Sequence, residues 1–99
     1  MIGSSEDGQY ATIWAAEPYG VIGWIGGGLN QQTTGAVYVY GYGTGPVEVY
    51  TSAGYLTTLY PSGSAGWIYC GNCASSINSI TFVAREWAQF YIDAVNVQP

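Results

Sequence analysis

Between residues 36 and 50 the chain changes character at every step: Val37, Val39, Val47 and Val49 fall on one parity, and Tyr38, Tyr40, Tyr42, Glu48 and Tyr50 on the other. Successive side chains of an extended strand point to opposite faces, whereas a helix returns to one face about every 3.6 residues, so this spacing belongs to β-structure. Gly43-Thr44-Gly45 interrupts the pattern with turn formers. The stretch therefore predicts a hairpin of strands 36–42 and 46–50, with a Val face packed inward and a Tyr face pointing out.

The same period recurs at 10–15, 19–25, 55–60, 67–70, 79–83 and 89–97, each run closed by Gly, Pro, Ser or Asn. About eight short strands with brief connections predict an all-β chain, an antiparallel β-sandwich of jelly-roll-like type. Residues 30–34 read as a loop or weak edge strand, and 85–88 as a loop. In 89–97, Phe90 and Ile92 share one parity while Val95 and Val97 share the other. Keeping all four in the core takes one extra residue near Asp93-Ala94, which predicts a β-bulge. The opening residues 1–9 are polar and patternless and read as an arm; residues 10–99 form a single sandwich domain, because 99 residues are too few for two cores.

Charge excludes several functions. Only 7% of residues are charged, one of them a cation (Arg85), with no His and a net charge of −5. A chain with one Arg cannot build the basic patch that binds nucleic acid or an anionic membrane surface. No run reaches the length of a membrane span, so no membrane insertion is expected. Without His or Lys the usual general acids and bases near neutral pH are missing, and the carboxylates Glu17, Glu48, Glu86 and Asp93 sit on different elements, so no enzyme is expected. Arg85 and Glu86 read as a local ion pair beside Trp87. No basic, apolar leader follows Met1, so the chain is expected either to have lost one or to be made in a cytoplasm and leave by another route.

The stretch 77–97 (INSITFVAREWAQFYIDAVNV) contains Ile77, Ile80 and Phe82, a loop, then Phe90, Ile92, Asp93 and Val95. This I-x-x-I-x-F…F-x-I-D-x-V pattern is similar to the closing pair of strands in jelly-roll carbohydrate-binding modules and related secreted, virion and appendage sandwiches. The resemblance implies a jelly-roll architecture and, at Asp93, a structural role or a share in a structural calcium site; no other metal or cofactor is expected.

The outward row Tyr38, Tyr40, Tyr42 and Tyr50, together with Trp67, is the main candidate for ligand or partner contact. Flat rings on a rigid sheet stack on sugars and anchor protein interfaces at low entropic cost. Its alternative is a second core face or a set of cross-strand pairs. Sixteen aromatic residues exceed what one small core needs, so several of Tyr10, Trp14, Trp24, Tyr55, Tyr60, Trp67, Tyr69 and Trp87 should be exposed. Cys70-Gly71-Asn72-Cys73 reads as a tight turn whose cysteines are candidates for a disulfide; a zinc site would lack further ligands. Two functions are expected from this. The first is a structural subunit at an extracellular or virion surface, which decorates a virion or filament by self-association or by binding other structural proteins. The alternative is a secreted carbohydrate-binding module, with glycans on the Tyr/Trp platform and hydrogen bonds from Asn30, Gln31, Gln32 and Glu48.

Overall fold

A computed structural model of the chain describes residues 2–3, 11–14, 21–25, 33–77 and 79–98, with side chains from residue 35 onward except 74–76. Nine strands are defined: β1 (Ile2–Gly3), β2 (Ala11–Trp14), β3 (Val21–Ile25), β4 (Thr33–Gly43), β5 (Val47–Thr51), β6 (Gly54–Leu59), β7 (Gly66–Ile77), β8 (Ser79–Ala84) and β9 (Gln89–Gln98). Among the described residues there is no helix. In the first sheet β9 lies between β4 and the short β1 and β2, and β7 flanks β4 on its other side. The second sheet runs β3-β8-β5-β6, and every pairing in both is antiparallel.

The two sheets pack as a β-sandwich around Val37, Val39, Phe90, Ile92, Val95 and Val97 of the first and Val47, Val49, Ile80 and Phe82 of the second, all fully buried. Phe82 meets Phe90 edge to face across the gap, with centroids 6.3 Å apart. Each such side chain contributes roughly 1.5–3 kcal/mol by leaving water, so the inward parity is the main source of stability. The outward parity of β4 holds Tyr38, Tyr40 and Tyr42, all half-buried.

Two expectations are corrected. Strands 36–42 and 46–50 do not form a hairpin: β4 pairs with β7 and β9, and β5 with β6 and β8. Their Val faces meet across the core rather than side by side, which leaves the alternation identical. The crossing between sheets passes through a cis Gly45–Pro46 bond. It is held by backbone donation from Gly43 to Ser62, from Thr44 to Gln89 and from Arg85 to Pro46, at 2.7, 2.7 and 3.0 Å. Nor is Gly71-Asn72 a turn, because β7 runs unbroken from Gly66 to Ile77. Tyr69 lies opposite Tyr38 and Gly71 opposite Val37, so Cys70 is an extra residue and the site is a bulge. Gly71 sits there at φ 112°, a conformation L side chains rarely adopt.

The bulge expected in the last strand is present. Ala94 faces Tyr40 and Ile92 faces Gly41, leaving Asp93 as the extra residue, and 92–95 are all buried. β9 then runs so close to β4 that a Cβ at Gly41 would strike the Tyr91 carbonyl oxygen. Within the arm, Ile2 and Gly3 pair with Val97 and Asn96 of β9; residues 4–9 lie outside the described residues. The loop 85–88 is a tight turn closed by donation from Ala88 N to Arg85 O at 2.9 Å, with Glu86 and Trp87 at φ 52° and 67°.

Candidate functional site

Antiparallel partners share a face, so the registers of β7, β4 and β9 lay out the outer surface of the first sheet in rows. One row is Tyr69, Tyr38 and Asn96; the next is Trp67, Tyr40 and Ala94; the third is Tyr42 and Tyr91. Tyr38 and Tyr69 are tilted with ring centroids 5.4 Å apart, Tyr40 and Trp67 lie edge to face at 5.3 Å, and Tyr42 stacks on Tyr91 at 4.8 Å. Such pairs hold one another's orientation. The Tyr69 hydroxyl also donates to Asn72 Oδ1 at 2.6 Å.

Beside these rows Tyr38, Trp67, Asn96 and Gln98 line a shallow cavity of about 390 Å³. Asn96 Oδ1 is buried without a hydrogen-bond partner. An orphaned buried acceptor costs about 1–3 kcal/mol, so a donor supplied from outside gains by meeting it. Two amides beside two rings form an uncharged site with the chemistry to bind a neutral polyol.

Tyr50 does not belong to this face. It lies on the second sheet, on the opposite side of the sandwich, where it donates to Glu48 Oε1 at 2.8 Å and meets Tyr55 edge to face at 5.6 Å. The reason is the crossing after β4, which carries residues 47–51 into the other sheet. Arg85 pairs there with Glu48, Nε to Oε1 at 2.9 Å, rather than with its neighbour Glu86. The bond from Tyr50 and then that from Arg85 hold the Glu48 carboxyl below its usual range, against the opposing effect of burial. The same bond to a carboxylate, together with burial, pushes the Tyr50 hydroxyl up.

Cys70 and Cys73 are buried free thiols. Three positions apart, they would face opposite sides of a regular strand, but the Cys70 bulge resets the parity and turns both inward. Burial pushes the Cys70 thiol up to about 12, and it also raises Cys73. Both shifts favour the protonated thiol at neutral pH, which makes each a poor nucleophile there. Asp93 is buried at the β9 bulge, and among the described residues no three His, Cys, Asp or Glu side chains converge to hold a metal. The sugar-bonding candidates Asn30, Gln31 and Gln32 lie outside the described residues, as do the side chains of Tyr10, Trp14 and Trp24.

A second feature is the margin of the sandwich where β6 and β7 end their sheets side by side. Leu56, an extra residue of β6, reaches across under Gly71, its Cδ1 being 3.5 Å from where a Cβ would stand. Among the described residues the exposed large apolar side chains are Tyr55, Tyr60, Trp67, Tyr69 and Trp87, and all but Trp87 belong to β6, β7 or the loop between them. The charged residues among those described are Glu48, Arg85, Glu86 and Asp93, and none lies on this margin.

Sequence reasoning missed Tyr91, Asn96 and Gln98 as members of the outer face. The signal was present: a bulge at Asp93 that realigns the inward residues realigns the outward ones as well. Fold and surface together define a charge-poor β-sandwich with one aromatic face and one aromatic margin. No protein-family model, curated protein or solved structure matches the chain.

Proposed function

We propose that the protein is a non-catalytic structural subunit, a jelly-roll-like sandwich that self-assembles, or decorates a virion or extracellular filament, through its aromatic surfaces. It works without a cofactor, and its partners are copies of itself or other structural proteins. One observation carries the reading: Tyr55, Tyr60, Trp67 and Tyr69, four of the five exposed large aromatic side chains among the described residues, gather on a margin where none of the described charged residues lies. Interfaces are enriched in Tyr and Trp and depleted of charge at their centres, and a contiguous apolar patch on a soluble domain marks a contact site. Light scattering across a concentration series tests it. A mass rising above 10.5 kDa with concentration is expected, and a monomer throughout overturns the reading.

A second reading, a carbohydrate-binding module, is favoured by the cavity at Tyr38, Trp67, Asn96 and Gln98. Rings there can stack on the apolar face of a sugar while the amides bond its hydroxyls. A monomer that binds on a glycan array and loses binding in Asn96→Ala would establish it.

A further inference from the structure

We infer that the exposed edge of β7 is the contact by which two copies of this chain join, strand against antiparallel strand about a two-fold axis perpendicular to the first sheet. The inference rests on the structural reading above and names its surface. Among the described residues β7 has a single strand neighbour, β4, and its other side presents backbone donors and acceptors that no described strand pairs. Natural edge strands are commonly shielded by charge, proline or brevity. β7 (GWIYCGNCASSI) has twelve residues, no charge and no proline.

Its protective devices are two breaks in its register with β4, the Cys70 bulge and a second shift between Cys73 and Ile77, which confine a regular ladder to residues 66–69. In that stretch Trp67 and Tyr69 lie on the outer face, 44% and 54% exposed, and Ile68 packs against the core. A two-fold axis perpendicular to the sheet keeps outer face with outer face, so the Trp67 and Tyr69 rows of the two copies continue into one another. β6 is a poorer edge, since its extra residue Leu56 interrupts a strand of six residues.

Charge argues that the occupant is a second copy. The chain carries −5, and a two-fold contact sets identical surfaces together, so copies can meet at close range only where charge is absent. The β6–β7 margin meets that condition among the described residues, and an antiparallel edge is complementary to itself.

Amide hydrogen exchange of the wild-type chain, dilute and concentrated, tests this. The expected result is that backbone amides within 66–69 slow by about tenfold or more as the mass rises, because the ladder closes over them. Assembly that leaves 66–69 unprotected, or protects β6 instead, overturns the inference and leaves the structural reading standing. A chain that stays monomeric at every concentration overturns both. Tyr69→Lys provides a second readout, with folding checked by circular dichroism: like charges facing each other across the axis should weaken association by about tenfold or more. A folded Tyr69→Lys that assembles as the wild type does would also overturn it.

Discussion

Glu48 takes one hydrogen bond from Tyr50 on its own strand and one from Arg85 at the end of β8. Its carboxyl is lowered from 4.5, so the folded state favours the ionised form. The stabilisation is therefore fully present above 4.5 and is lost as pH falls through the lower folded-state value. Because the pair is partly solvated, Glu48→Gln should cost only about 0.5 kcal/mol at pH 7. Urea denaturation at pH 7 and again near pH 3 should show that small gap and then its closure. The thiols give a residue-scale prediction of the opposite kind. With Cys70 raised to about 12 by burial, a thiol-specific reagent at pH 7.5 should leave it unlabelled in the native protein and label it fully in denaturant. Fast native labelling of Cys70 would show that the inward bulge is wrong.

At the scale of elements, the strands were legible because apolar side chains alternate, and a break in alternation was legible too. Phe90 and Ile92 against Val95 and Val97 announced the Asp93 bulge, since no regular strand can bury both pairs. The Cys70 bulge was hidden because Gly-Asn serves a tight turn as readily as a left-handed bulge position, and local chemistry cannot distinguish the two. The turn after β8 was hidden for a different reason. Glu86 and Trp87 both occupy left-handed conformations that favour Gly or Asn, so nothing in their identity announces the geometry. That turn is strained, and Trp87, 71% exposed, contributes little burial in return. Trp87→Gly should raise stability by about 1 kcal/mol, read as a shift in the denaturation midpoint at unchanged slope. A loss of stability would mean that the indole holds the turn through contacts of its own.

For the whole molecule, alternation shows that β4 and β5 each have a core side but not whether they lie beside or across from each other, because a Val face is equally satisfied by either arrangement. The split of Tyr50 from Tyr38, Tyr40 and Tyr42 follows from that single ambiguity, whereas the aromatic, charge-poor character of the surface was readable from composition. The position of β9 in the first sheet sets a constraint in time as well as in space. β4 finds one of its two partners only in residues 89–98, and β1 and β2 find theirs only there. A chain emerging from a ribosome must hold β1, β2 and one side of β4 unpaired until this late segment arrives, with the uncharged β7 already exposed to neighbouring nascent chains. Translation speed over the last stretch, and the crowding of polysomes, therefore bear directly on how much of this protein reaches its native state.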